Sequence, residues 1–160
     1  GTTPWIPEDM ASASIGQSVV QITPLQLARA YSVFANGGWL VTPHLADQGL
    51  DWTDSARRTK VDIKPSTLNK IREGLRKVVS DGTGYGLNGP GIPPAGGKTG
   101  TAEDSTGGPD HAWFATYAPY PEGKIVIVAF AQNTPGGGSV HALPMAKKVM
   151  EVWNRTRGKQ

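Results

Sequence analysis

The chain has 160 residues, of which 38% are hydrophobic, with 21 glycines, 13 prolines and no cysteine. This length suffices for one domain with a core, but the composition predicts a loop-rich fold or a piece whose core is completed elsewhere. The small charge of +3 argues against a nucleic-acid surface. The absence of cysteine excludes a disulfide scaffold and a thiol nucleophile. No apolar run approaches 18 residues, which argues against a membrane span.

Helical signals dominate the first 90 residues. Residues 1–22 are predicted to be irregular, because they are polar and contain two prolines. Thr23 is predicted to cap the clearest helix, with Pro24 at its first position and Gln26 completing a capping box. Gly37 and the glycine after it are expected to end that helix. A short strand over residues 39–43 and a charged surface excursion over 47–62 are predicted to follow.

A second helix is predicted from Pro65 to about Ser80. The residues expected on its apolar face are Leu68, Ile71, Leu75, Val78 and Val79. The residues expected on its solvated face are Lys70, Arg72, Arg76 and Lys77. A loop rich in glycine and proline then leads to residue 95.

Three strands and a final helix are predicted after that loop. Residues 95–103 and 111–117 form the first two strands, and residues 124–131 are a continuous apolar run, typical of a central strand covered on both faces. The short turn over 119–123 makes the last two strands antiparallel neighbours. The final helix is predicted from about Ser139 to Asn154. The residues expected to pack from it are Ala142, Met145, Ala146, Val149, Val152 and Trp153. This order predicts the α+β class, with an antiparallel sheet flanked by helices.

The segment with the clearest chemistry is residues 97–103, which read GKTGTAE. If it is extended, Lys98 and Gly100 face one way, while Thr99 and Thr101 face the other. At a sheet edge, the N–H of Thr101 could donate to a carbonyl oxygen beside the positive charge of Lys98. Gly100, without a Cβ, lets a ligand lie against the main chain. These features suit a substrate that ends in a carboxylate and reacts at an acyl carbon.

Two known motifs match part of this segment. A phosphate-binding P-loop, G-x-x-x-x-G-K-[ST], would need glycine where the chain has Ile92, and it would have to open a helix. Residues 104–109 read DSTGGP, which does not continue as a helix. The other motif is the K-T-G of β-lactamases and penicillin-binding proteins. Because a lone K-T-G is weak evidence, the surrounding sequence must decide.

Several separated stretches together resemble class B penicillin-binding proteins, in the order found in that family. The stretches are SIGQ (14–17), TPLQ (23–26), NGG (36–38), VV (78–79) with GTG (82–84), GKTGTAE (97–103), HAWF (111–114), YAP (117–119) and ALP (142–144). The subgroup that this chain is most similar to is the elongation type (penicillin-binding protein 2) or the division type. One departure is Ser18, where the family usually has glycine after Gly-Gln.

The resemblance implies a serine D,D-transpeptidase that cross-links peptidoglycan stem peptides and is acylated by β-lactams. The family also uses an S-x-x-K motif for nucleophile and base and an S-x-N motif for proton shuttling. No serine of this chain has Lys three positions later or Asn two positions later. The chain also begins with Gly1 and has no signal peptide. Residues 1–160 are therefore expected to be the C-terminal half of a transpeptidase domain, with a helical part (1–90), sheet strands (95–131) and a C-terminal helix (139–155).

The resemblance also implies roles for individual residues. Lys98 would set the electrostatics of the site and assist the proton relay, and Gly100 would let the ligand pair with the strand. The hydroxyls of Thr99 and Thr101 would bind the terminal carboxylate of the D-Ala-D-Ala donor or the acid group of a β-lactam. The N–H of Thr101 would form half of an oxyanion hole. Tyr85 and His111 are further candidates for lining the cleft.

The partners implied are the stem peptide, β-lactams, the N-terminal half of the same protein and a SEDS-type glycosyltransferase, with no nucleic acid. The implied location is the extracytoplasmic (periplasmic) face of the cytoplasmic membrane, with an anchor outside this chain. No cofactor is implied, and His44 and His141 have no histidine or carboxylate at metal-ligand spacing. Two alternatives stay open: a β-lactamase or β-lactam sensor of the same superfamily, and a non-catalytic penicillin-binding-like interaction module. The region of Gly16-Gln17 and Thr23-Pro24 is typical of transpeptidases and argues against the first.

Overall fold

A computed structural model describes residues 4–17, 20–45, 57–104 and 106–157. The helices and strands in chain order are α1 (Pro7–Ser14), α2 (Pro24–Ala35), β1 (Trp39–Val41), β2 (Arg58–Lys60), α3 (Pro65–Ser80), a 3-10 turn (Tyr85–Leu87), β3 (Gly96–Ala102), β4 (His111–Ala118), β5 (Ile125–Ala131), α4 (Gly137–Val140) and α5 (Ala142–Thr156). Both sheets are antiparallel, which confirms the α+β class. None of the helices in these ranges has the length and apolar character needed to cross a membrane.

The main sheet has the order β3-β4-β5. Gly100 pairs with Trp113, which in turn pairs with Phe130, so β4 is the middle strand. The prediction that residues 124–131 form the central strand is therefore wrong within the part of the chain that the structure describes. A strand reads as a continuous apolar run whenever both of its faces are covered, whatever its place in the sheet.

Helices cover both faces of this sheet. One face carries Phe114, Ile127 and Ala129, and it packs against α5 and the end of α3. The opposite face carries Ala115 and Tyr117, and it packs against α2. The result is a three-layer arrangement, with α2 on one side of the sheet and α5 on the other.

Helix α2 has the predicted capping box. The Gln26 N–H donates to the Thr23 hydroxyl oxygen at 3.2 Å, and the Thr23 N–H donates to the Gln26 side-chain oxygen at 2.8 Å. Gly37 and Gly38 have φ values of 80° and 99°, and the Gly38 N–H donates to the Val33 carbonyl at 2.8 Å. Since these left-handed values favour glycine, the helix ends where the two glycines predict.

The expectation of an irregular N-terminal segment is wrong, because residues 7–14 form α1. Pro7 is at its first helical position, and the Asp9 carboxylate accepts a hydrogen bond from the Ile6 N–H at 3.1 Å. Helix α1 has no buried residue. A helix without a buried face has no reason to show apolar spacing of period 3.6, which explains why the pattern did not predict it.

The predicted excursion over 47–62 lies partly outside the described residues, and its described end contains β2. This strand pairs with β1, with Trp39 opposite Lys60. Arg58 and Lys60 place their charges 4.3 and 5.0 Å from the centre of the Trp39 ring. Cation–π contacts therefore add to the backbone pairing of this short ribbon.

Helix α3 has the predicted bounds, but its cationic face is not fully solvated. Arg72 is only 8% exposed, and its Nε donates to the Phe34 carbonyl at 2.7 Å. Arg76 donates from Nη1 to the Ala95 carbonyl at 3.0 Å. Two of the four cations expected in water thus bind main-chain oxygens of neighbouring elements.

The predicted C-terminal helix is interrupted at His141, so that α4 and α5 are separate helices. Ala142 and Ala146 pack as expected. By contrast, Met145, Val149 and Val152 are 48%, 50% and 41% exposed, although they were expected to pack. The residues of α5 that are buried are Ala142, Leu143, Ala146 and Met150. The buried stripe is therefore rotated from the predicted one.

Candidate active-site strand

Strand β3 contains the GKTGT segment and lies at the edge of the described sheet. It pairs with β4 on one side, and no strand pairs with its other side within the described ranges. Helix α3 packs against it. The extended conformation excludes a P-loop, in which Lys98 and Thr99 would open a helix.

The register of β3 on β4 separates the site residues into two sets. Lys98 pairs with Ala115, and Thr99 pairs with Phe114. Because side chains alternate along a strand, Thr99 and Thr101 share the face covered by α5, and Lys98 lies on the face covered by α2. A ligand lying along the open edge would be flanked by both sets.

The two glycines that begin β3 are needed for its packing on β4. A Cβ at Gly96 would lie 2.8 Å from Cε1 of Tyr117, and a Cβ at Gly97 would lie 2.8 Å from the Ala115 carbonyl oxygen. Farther along, a Cβ at Gly100 would lie 3.3 Å from Cβ of Trp113. These close approaches give the glycines a structural role besides any contact of Gly100 with a ligand.

Lys98 has an exposed side chain. Its Nζ donates to the Thr99 carbonyl oxygen at 2.7 Å. The positive charge is thereby kept close to the main chain of β3, while its remaining N–H groups stay available to a ligand.

Thr99 is half-buried and contacts a residue that the sequence interpretation did not select. Its hydroxyl oxygen lies 2.7 Å from the hydroxyl oxygen of Thr83, which follows α3. The GTG stretch at 82–84 served only as part of the family resemblance. Its position 16 residues away gave no local signal of a contact with Thr99.

Thr101 is exposed and lies beneath α4. A Cβ at Gly137 would overlap the Thr101 hydroxyl, and a Cβ at Gly138 would lie 2.6 Å from the Gly100 carbonyl oxygen. The amide of Gln17 is within 3.5 Å of the Thr101 carbonyl oxygen. The glycine run at 136–138 is the sequence signal that could have indicated this close approach of two backbones.

The two candidate cleft residues lie apart from the centre of β3. His111 begins β4 opposite Ala102, its Nδ1 accepts the Asn133 N–H at 3.2 Å, and its ring meets the Phe130 ring edge-on at 5.7 Å. Tyr85 is 64% exposed on the 3-10 turn. Their role as cleft residues stays a prediction.

The carboxylate of Asp104, just beyond β3, is bound within its own loop. The Asp104 carboxylate accepts hydrogen bonds from the Thr106 N–H at 3.0 Å and the Thr106 hydroxyl at 2.7 Å. These bonds hold the pKa of Asp104 below its usual value. Asp104 therefore stabilises its loop, and Glu103 next to it is exposed.

A cavity of about 530 Å³ lies near α3 but away from β3. Its polar lining includes Lys60, Asp62, Asn69 and Arg72, and it contains no residue of the GKTGT segment. Within the described ranges, no three His, Cys, Asp or Glu side chains are grouped so as to hold a metal ion.

The sequence of residues 1–151 matches the family model of the penicillin-binding protein transpeptidase domain. The chain belongs to this family. It is 34% identical over 176 aligned positions to the peptidoglycan D,D-transpeptidase MrdA of Haemophilus influenzae, covering 96% of this chain and 27% of that protein. The predicted class B assignment, of the MrdA or penicillin-binding protein 2 type, is thereby confirmed.

Solved structures of transpeptidases share the fold. A protein of a peptidoglycan synthase complex that coordinates polymerization and crosslinking has a TM-score of 0.75 and 40% identity, covering 98% of this chain and 28% of that one. PBP2 of Pseudomonas aeruginosa, in complex with WCK 5153, has a TM-score of 0.80 and 30% identity, covering 94% of this chain and 34% of that one. Penicillin-binding protein A of M. tuberculosis, in an imipenem acyl-enzyme complex, has a TM-score of 0.68 and 26% identity, covering 93% of this chain and 34% of that one. The chain thus spans about a quarter to a third of the length of these relatives.

Proposed function

We propose that this chain forms the β3 wall of a serine D,D-transpeptidase site that cross-links peptidoglycan stem peptides and is acylated by β-lactams. The observation that carries the proposal is the GKTGT segment on an open sheet edge, with Lys98 and Thr101 exposed there. The relative named a peptidoglycan D,D-transpeptidase and the imipenem acyl-enzyme of a second relative support it.

In this proposal the two threonines bind the acid end of the acyl donor. Thr99 and Thr101 lie on one face of β3, so their hydroxyls can both donate to the terminal carboxylate of D-Ala-D-Ala or to the acid group of a β-lactam. Lys98, on the other face, adds positive potential and helps to relay the proton. Gly100 leaves the main chain open to a ligand that pairs with the strand.

The N–H of Thr101 would stabilise the oxygen on which negative charge develops during acyl transfer. Such a donor is effective because it is already oriented before the reaction, and losing one costs about 3 kcal/mol of transition-state stabilisation. The second donor would be the N–H of the nucleophilic serine. Both hydrogen bonds are then stronger in the transition state than to the neutral carbonyl.

The nucleophile is proposed to come from the N-terminal half of the same protein. This chain has neither S-x-x-K nor S-x-N, and it spans only 27% of its MrdA relative. The isolated chain is therefore expected to be inactive, because without the serine there is no covalent route.

The proposed setting is the extracytoplasmic side of the cytoplasmic membrane, where peptidoglycan is cross-linked. A SEDS-type glycosyltransferase is the proposed protein partner, supported by the similarity to a component of a complex that couples polymerization to crosslinking. The stem peptide is the proposed substrate.

Fluorescent penicillin labelling tests the proposal. The longest native polypeptide that contains this chain should form a covalent adduct, and residues 1–160 alone should not. Lys98→Ala should slow labelling by about 100-fold. Lys70→Ala, at an exposed position of α3, should not change the rate. Labelling of the isolated chain, or equal rates for both variants, would contradict the proposal, and rapid turnover of nitrocefin would indicate a β-lactamase instead.

A further inference from the structure

The turn that follows α3 is pressed against the last turn of that helix. The N–H groups of Gly82 and Gly84 both donate to the Val78 carbonyl, at 3.2 and 2.9 Å. A Cβ at Gly82 would lie 3.0 Å from Cα of Val78, and one at Gly84 would lie 3.1 Å from the Val78 oxygen. Two glycines in close contact with α3 thus fix the backbone on either side of Thr83.

Thr83 is exposed, and its hydroxyl points at β3. The 2.7 Å between its oxygen and that of Thr99 is a normal length for a hydrogen bond between hydroxyls. The bond joins the end of α3 to the middle of the GKTGT segment. Because the backbone of Thr83 is held in place, this contact restrains the side-chain rotamer of Thr99.

Either hydroxyl can be the donor in this pair, and the choice has a consequence for ligand binding. If Thr99 donates to Thr83, its single proton is used. If Thr83 donates, Thr99 keeps its proton and becomes a better donor, since hydrogen bonds in a chain polarise one another. A carboxylate can only accept, so a bound acid selects the second arrangement.

We infer that Thr83 is a positioning residue that donates to Thr99 and thereby directs the Thr99 hydroxyl toward the carboxylate of the acyl donor. This inference rests on the proposed function. It names the ligand class that depends on Thr83, namely peptides or β-lactams with a free acid group. Thr83 acts through Thr99 and does not itself touch the ligand.

The test compares acylation rates for a β-lactam with a free carboxylate and for its methyl ester. It uses the longest native polypeptide that contains this chain. Thr83→Val should slow acylation by the free acid about 3- to 10-fold, as expected for one lost hydrogen bond, and should leave the rate with the ester within about twofold. Thr83→Ser should restore the wild-type rate. Thr67→Val, at an exposed position of α3 away from β3, is the matched control.

A double-mutant cycle with Thr99→Val separates positioning from direct contact. If Thr83 acts through Thr99, Thr83→Val should have no further effect in the Thr99→Val background. A loss that persists there, or one that is equal for acid and ester, would overturn the inference. So would a Thr83→Val protein that is acylated like the wild type, although the proposed function would then stand.

A crystal structure of the Thr83→Val protein supplies a readout that does not depend on acylation. The Thr99 hydroxyl should leave its present rotamer, because a methyl group of the substituted valine replaces the hydroxyl that is its partner. An unchanged Thr99 would overturn the inference even if the wild-type protein were not acylated at all. Because Thr83 is exposed, its variant should unfold within about 2 °C of Thr67→Val.

Discussion

The guanidinium group of Arg72 joins α3 to the carbonyl oxygen of Phe34, in the last turn of α2, at 2.7 Å. The last carbonyls of a helix have no partner within it, and a cation there also interacts favourably with the helix dipole. Arg72 is buried, so this charge-assisted bond forms away from bulk water. The helix that packs against β3 is therefore tied to the helix that covers one face of the sheet.

Replacing Arg72 should weaken this connection. Arg72→Met keeps the length of the side chain but removes the donor, and the free energy of unfolding should fall by about 2 kcal/mol. Lys70→Met, on the exposed side of α3, is the control and should change it by less than about 0.5 kcal/mol. Urea unfolding followed by circular dichroism measures both. Equal stability of the two variants would show that the Arg72 bond contributes nothing.

Elements with local end signals could be predicted from the sequence. Helix α2 begins and ends where Thr23 and Gly37 indicate, and α3 runs from Pro65 to Ser80 as predicted. Caps and glycines act within a few residues, so their effect can be recognised without the fold. Strands β4 and β5 were equally accessible, because covered strands of this length carry continuous or alternating apolar residues. By contrast, β2 lies in a segment that was predicted to be a surface excursion.

Features that depend on tertiary contacts could not be predicted in this way. From its position in the sequence, Arg72 was expected on the solvated face of α3. It is buried because α2 ends beside it. The K-T-G motif identified β3 as the candidate site. Neither the hydrogen bond between Thr83 and Thr99 nor the packing of α4 on β3 is encoded near residue 98.

Tyr117 should make stability depend on alkaline pH. It is fully buried, and no hydrogen-bond partner for its hydroxyl occurs in the described part of the chain. Burial raises the pKa of Tyr117 from 10.0 to about 12, although the Arg72 charge opposes the rise. The folded protein therefore keeps this proton while the unfolded chain releases it, so stability should fall between about pH 10 and pH 12.

Tyr117→Phe isolates that contribution. The variant should be at least as stable as the wild type at pH 7, because it loses no hydrogen bond. Between pH 10 and pH 12 its free energy of unfolding should fall by on the order of 2 kcal/mol less than that of the wild type. Tyr85→Phe, at an exposed position, should match the wild type both in stability at pH 7 and in its fall between pH 10 and pH 12. Parallel wild-type and Tyr117→Phe curves in urea titrations across this range would refute the assignment.

Gly138 should be intolerant of any side chain, because α4 packs directly on β3 and β4. A Cβ there would overlap the Trp113 carbonyl and lie 2.6 Å from the Gly100 carbonyl oxygen. Its φ is not left-handed, so space alone sets the requirement. Gly138→Ala should displace α4 from the strand, lower the melting temperature and slow penicillin acylation at least about tenfold, as expected for a shifted catalytic group. Gly74→Ala, in α3, is the matched control. A Cβ added at Gly74 would have no atom within 4 Å, so this variant should be more stable by about 0.5–1 kcal/mol, with unchanged acylation. If Gly138→Ala is acylated as fast as Gly74→Ala, the packing of α4 on β3 does not shape the site.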